Sequence, residues 1–404
     1  GKSTRTELQL LSLPTLEELK TEEDDTNTEI KEKLSKSIDE AKRLRKEFER
    51  LQMELLQKQE MSWQDQKQLE NLLDKQQNLQ QDIRDIQKKN LLNQQKSSEF
   101  NKQSEEILKK QEEINKLFDE LMTDEMKQLY EDIQKLIEEL NKDQLQEKMG
   151  EMEMSNEDLE KELDRTLELF KQLELEKKIT DTADELKKLS EKQEKLAKET
   201  QNKELSQEDL SNKQEEVKKE FDEIKKDLDE IDDKNEELEK PISLDENNKE
   251  KQEEIDKELD DSKENIEKKK NKKAAENQKE SAKKMEEMAD KMMSMMQQAQ
   301  QQGLEEDMDA LRKLLNNIID LSINQESLMN QVNATDAKDP RFKELSQNQR
   351  EQIDDSKHIA DSLYALSKRI IQLETYVNRE MGAVSSSMSD AMIEMADRKG
   401  KKAA

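Results

Sequence analysis

Only five glycines and three prolines punctuate 404 residues. Turns depend on those two residue types, Gly for positive φ and Pro for a preset φ, so a chain with so few of them has few places to reverse direction. Long continuous elements are what remains. The residues between the breaks are mostly Glu, Lys, Gln, Leu and Met, which lose little rotamer freedom in a helix. Aromatics make up 2% of the chain and charged residues 43%, against about 25% charged in an ordinary domain, so no conventional aromatic-rich core is expected.

Low hydrophobicity with a formal net charge of −30 also describes a disordered chain. Periodicity decides between the two. Leu129, Ile133, Leu136 and Leu140 follow 4-3-4 spacing. Val217, Phe221, Ile224, Leu228 and Ile231 extend it, Ile255, Leu259 and Ile266 continue it with Ser262 at a seam position, and Ile359, Leu363, Leu366, Ile370, Leu373 and Val377 form the longest run. A disordered chain has no reason to keep such spacing, whereas helices packed side by side require it. The fold class is therefore all-α, with elongated coiled-coil-like helices and antiparallel helical hairpins. Gln-rich stretches such as Gln76, Gln77, Gln80 and Gln81 dilute the apolar faces.

Start and stop signals divide the chain. Thr15 with Glu18 and Ser243 with Glu246 read as capping boxes, and Ser62, Ser155 and Ser206 each precede an Asp by three residues. Gly150, Gly303 and Asp339-Pro340 read as stops. The helices expected are 16–60, 63–120, 124–149, 156–202, 207–240, 244–300, 304–333 and 341–381. Grouped by composition, 1–13 resembles the closing strand of a preceding β module, a short β remnant at the N-terminus. Residues 14–150 form a long helical region, 151–241 a helical hairpin region, 242–302 a charged helix with a methionine stripe and 303–381 a C-terminal helical pair. Residues 382–404 read as a polar tail cut from something longer.

The chemistry-bearing inventory is thin. His358, the single histidine, stands four residues from Ser362 and reads as a polar residue on a helix flank. With no cysteine there is neither a thiolate ligand nor a cysteine nucleophile, and the glycines are too far apart to cradle phosphate. No catalytic, cofactor-binding or metal-ligating residue is assigned. No run of about 18 apolar residues is present to span a bilayer, and the acidic balance disfavours nucleic acid.

One local feature stands out: Met285, Met288, Met292, Met295 and Met296, at helical spacing. They read first as a seam filled with adaptable side chains, and alternatively as a permissive partner-binding groove. Thioether ligation of Cu(I) would need soft company that the stripe lacks. A lysine run from Lys263 to Lys284 precedes it, interleaved with Glu264, Glu267, Glu276 and Glu280. That pattern fits a solvated helix facing an acidic neighbour better than a membrane-surface helix, which would want aromatic anchors. Trp63, the single tryptophan, is expected to pin a helix junction.

Three segments, GKSTRTELQLLSLPTLEEL, SNEDLEKELDRTLELFKQLELEKK and EDMDALRKLLNNIIDLSINQESLM, together resemble a family of large, uncharacterised Bacteroidota envelope proteins classed as a domain of unknown function. In that family transmembrane helices precede immunoglobulin-like β modules and a long Glu/Lys/Gln-rich helical region. The resemblance implies a membrane-tethered parent and a periplasmic setting, and supplies no catalytic residue. The expected function is a non-catalytic scaffold or tether with protein partners, self-association included. A client-binding module using the methionine stripe is the alternative, and an enzyme-associated subunit comes third.

Overall fold

The computed structural model describes residues 15–58, 60–100, 104–121, 124–139, 141–244, 248–336 and 338–397. Among them are ten α-helices: α1 (Leu16–Leu56), α2 (Trp63–Phe100), α3 (Glu105–Glu120), α4 (Asp124–Glu139), α5 (Lys142–Asn202), α6 (Gln207–Glu236), α7 (Asn248–Glu267), α8 (Asn271–Ala334), α9 (Arg341–Ser367) and α10 (Thr375–Ala396). The fold is all-α. The β remnant expected at 1–13 lies outside the described residues, as does Glu246 of the second capping box. Two compact units divide inside α5, residues 1–167 and 168–404.

In the first unit α1 and α2 form an antiparallel hairpin. Ile30, Leu34, Ala41, Leu44, Phe48, Leu51 and Leu55 line its α1 side and Leu69, Leu72, Leu79, Ile83 and Ile86 its α2 side, all buried. Cross-helix pairs Lys75–Glu47 (2.7 Å) and Lys96–Glu22 (2.6 Å) set the register. Between the apolar layers the seam is amide. Asn93 donates to Asn27 (2.8 Å), Asn90 to Asn115 of α3 (3.0 Å), and Asn115 in turn to Gln94 (2.7 Å). The Thr15–Glu18 capping box forms as expected, and Ser62 and Asp65 cap each other's backbone at the start of α2. Trp63 pins nothing: it is 75% exposed.

Gly150 does not stop a helix. It lies within α5, where a Cβ would meet the Gln52 side-chain amide at 3.1 Å, and that amide donates to the Gln146 carbonyl at 3.0 Å. The glycine marks a close approach of α1, not an end. Ser155 likewise sits inside α5.

In the second unit the remainder of α5 joins α6, α7 and α8 in an up-down-up-down bundle. Lys192–Glu220 (2.6 Å), Lys225–Asp256 (2.6 Å), Lys284–Glu254 (3.2 Å) and Lys187–Asp290 (2.8 Å) tie successive antiparallel neighbours. Two of its turns use lysine where glycine would be expected: Lys203 (φ 56°) after α5 and Lys269 (φ 57°) after α7. Each closes a Schellman-type end, Glu204 N–H to Glu199 C=O at 3.1 Å and Lys270 N–H to Asn265 C=O at 2.8 Å. The helix expected over 244–300 is therefore two, α7 and α8. Conversely, Gly303 lies inside α8, which runs unbroken for 64 residues, roughly 95 Å at 1.5 Å per residue.

The second half of α8 packs antiparallel on α9, and α9 on α10. Leu314, Leu321, Ile353, Ile359, Leu363, Leu366, Met381 and Met388 form their shared core. The hairpin expected between 304–333 and 341–381 is present, but the second helix ends at Ser367 and α10 begins at Thr375. Residues 382–396 are not a polar tail. Their small side chains let α10 approach α9, with Ser385 and Ser356 hydroxyls 3.0 Å apart, while Met381, Met388 and Met395 recur every seven residues on the buried face. At the α8–α9 turn the Arg341 guanidinium and backbone N–H hold the Asp339 carboxyl down at about 2.

Candidate functional site

The methionine stripe lies in the bundle interior. Met285, Met288, Met292 and Met296 are buried in one core with Leu186, Leu189, Val217, Phe221, Ile224 and Leu259, while Met293 packs at its edge. Met295 is half-buried. Soft, unbranched side chains fill a gap between three other helices here, so a partner could reach them only by opening the bundle. The lysine run beside them pairs with acidic neighbours, Lys263 with Glu215 of α6 (3.2 Å) and Lys284 with Glu254 of α7. His358 and Ser362 are exposed, and the Ser362 hydroxyl donates to the His358 carbonyl (2.8 Å), not to its ring.

One turn from the methionines the bundle core becomes polar. Gln193 of α5, Gln214 of α6, Ser262 of α7 and Gln278 and Ser281 of α8 are all buried at one level. The Gln214 Oε1 is the hub. It accepts from Gln278 Nε2 (2.9 Å), Ser262 Oγ (3.0 Å) and Gln193 Nε2 (3.4 Å), while Gln193 Nε2 also reaches Ser281 Oγ (3.0 Å). Gln193 Oε1, Gln214 Nε2 and Gln278 Oε1 find no partner. The layer separates the methionine-containing core from a smaller one of Leu196, Leu210, Ile266 and Ala274. A polar layer of this kind disfavours every slipped register, since sliding one helix would bury amides against leucine.

At the other end of the bundle stands an ionic cluster. Lys234 pairs with the buried Glu174 and with Glu230 (3.0 Å), and Lys368 with Glu239. Arg369 pairs with Asp307 (2.8 Å). Burial opposes charge on Lys234, and the Glu174 and Glu230 carboxylates outweigh it, raising the ammonium above the ordinary lysine range. Burial pushes the Glu168 carboxyl above the usual glutamate range, although the Glu239 N–H donates to it at 2.9 Å. Gln172 Nε2 donates to the Lys368 carbonyl (3.2 Å), tying the end of α9 to α5. These groups clamp the junction between the bundle and the α8–α10 segment.

What the structure leaves uncovered is a row along the second half of α8. Leu304, Met308, Leu315, Ile319, Ile323 and Met329 are between 37% and 63% exposed, while Leu314, Leu321 and Leu328, about a third of a turn round the helix, are buried. Leu315 and Ile319 thus point away from the core that Leu314 and the partly buried Ile318 join. No family model, curated protein or solved structure matches the chain. Among the described residues, no helix is long and apolar enough to cross a membrane. The features that single out a site among the described residues are therefore physical: a sealed core, a clamped junction and an open apolar row on α8.

Proposed function

We propose that this chain is a non-catalytic helical scaffold or tether of a bacterial cell envelope that works through protein–protein packing. The observation that carries the reading is α8. It runs without a break through two successive cores, packed by α5, α6 and α7 in its first half and by α9 and α10 in its second, and it turns an apolar row outward along that second half. A long helix packed by neighbours on one side and left open along one edge suits holding partners at fixed spacing. Solvent-exposed apolar rows of this length mark interaction surfaces more often than chance exposure.

The envelope setting rests on the family resemblance of residues 1–19, 155–178 and 306–329. The acidic surface supports a role in packing rather than in binding phosphate-bearing partners. The test is cross-linking in the producing cell followed by fractionation and mass spectrometry. The expected result is recovery with envelope proteins, cross-linked through α8. Recovery as an unlinked chain in the cytosolic fraction would overturn the reading, as would substrate turnover by the purified chain.

A further inference from the structure

We infer that the exposed row on α8 is a homodimer interface, in which two copies of this chain pair antiparallel across a two-fold axis between Asn316 and Asn317. The inference deepens the scaffold reading by naming the partner. Three observations carry it. The first is area: covering the six exposed side chains would bury roughly 600 Å² per copy, about 1,200 Å² for the pair, at the lower edge of stable specific interfaces. A single row of that size is satisfied in full by an isologous contact, which uses the same patch twice and leaves nothing open.

The second is spacing. With the axis at Asn316 and Asn317, Leu304 of one copy falls level with the partner's Met329, Met308 lies within a turn of the partner's Ile323, and Leu315 meets the partner's Ile319. Every large apolar residue of the row then has one opposite it.

The third is charge. The chain carries −30 overall, which resists self-association, and the row Leu304–Met329 holds Arg312 and Lys313 against Glu305, Glu306, Asp307, Asp309, Asp320 and Glu326. Of these acids Glu306, Asp307 and Asp309 already pair within their own copy, with Lys240, Arg369 and Arg312. The antiparallel register sets Arg312 and Lys313 level with the partner's Asp320, whereas a parallel pair would oppose like charges. Glu326 falls level with the partner's Asp307, whose charge is already held by Arg369 within its own copy.

The test uses the full chain and sedimentation equilibrium. The expected mass at tens of micromolar is twice the 47.7 kDa of one chain. The double substitution Leu315→Lys with Ile319→Lys lies on the exposed row, so helicity and melting should be kept, and dimer affinity should fall at least tenfold. The chain has no cysteine of its own, so single introductions report geometry directly. On mild oxidation Leu315→Cys, next to the axis, should give a covalent dimer. Leu304→Cys alone should not, but should link to Met329→Cys when the two are mixed. A monomer at about 100 µM would overturn the inference, and so would a dimer untouched by the two lysines or a self-linked Leu304→Cys. A monomer would leave the scaffold reading to the cellular cross-linking test, where a different protein would then be found on α8.

Discussion

Replacing Gln214 by leucine tests the polar layer of the bundle. The Gln214 carbonyl oxygen takes three donors, and of these only Gln193 has a second acceptor, Ser281. Leucine would leave Gln278 Nε2 and Ser262 Oγ buried without acceptors, at about 1–3 kcal/mol each. Against this, the substitution removes the Gln214 Nε2, which has no partner now, and adds a buried branched side chain. The balance is a loss of about 2 kcal/mol. At roughly 2–4 °C per kcal/mol for a unit of this size, Tm should drop by about 4–8 °C. The opposite is expected when the whole layer is made apolar, with Gln193, Gln214 and Gln278 changed to Leu and Ser262 and Ser281 to Ala. Three unpaired buried polar atoms then disappear together, and stability should rise by about 1–4 kcal/mol. Circular dichroism melts with urea titrations measure both. A Gln214→Leu variant as stable as the parent would refute the hub, and a five-fold variant that melts earlier would refute the account of the layer as stability given up for register.

Gly303→Ala should stabilise by about 1 kcal/mol, because the helix gains propensity and a Cβ there meets no atom within 4 Å; a lower Tm would show a crowded site. Leu366→Ala, in the core of α9, should cost about 2–5 kcal/mol by urea denaturation, and no change would place that face in solvent. Lys234→Met removes the ammonium that pairs with both Glu174 and Glu230 at this buried junction and should lower Tm near neutral pH, read from melting curves; an unchanged Tm would show that the pairs add nothing to stability. Glu168 binds its proton more tightly folded than unfolded, so its contribution is most favourable at acid pH and declines as pH rises through its raised folded pKa. Glu168→Gln should therefore stabilise at pH 7, an advantage that fades as the pH is brought below the ordinary glutamate range; an equal gain at pH 4 and pH 7 would contradict the assigned cause.

Much of the fold was legible because heptad spacing is a direct record of packing. Val217, Phe221, Ile224, Leu228 and Ile231 are all buried, and Ser262, the polar member of the α7 seam, is buried at its seam position as a donor to Gln214. Breaks were harder to read. Gly150 and Gly303 resemble stops, yet a glycine inside a long helix costs only about 1 kcal/mol, less than its neighbours supply. The stop at Lys203 was legible through the Ser206 cap of the helix that follows, but the one at Lys269 was hidden because lysine is a strong helix former and rarely takes positive φ. The run Ile359 to Val377 keeps its period across a turn, so spacing could not reveal that α9 ends at Ser367. The apolar arc of α8 is wider than one neighbour covers, and only packing shows that Leu314 and Leu321 face inward while Leu315 and Ile319 do not. Trp63 at a helix start suggested an anchor, but a first-turn position can equally project into solvent, as it does here.

The cores of the second unit follow one another along α8 in single file: Ala274 with Leu196 and Ile266, then the methionines, then Leu314 and Leu321, then Leu328 and Val332 with Phe342 and Met395. Each touches mainly its neighbours, so the energy needed to open any stretch is set locally. Under tension along this helix such an arrangement yields segment by segment, in a sawtooth of small releases instead of one rupture. A tether between two anchored points would then lengthen under load and recover when the load is removed.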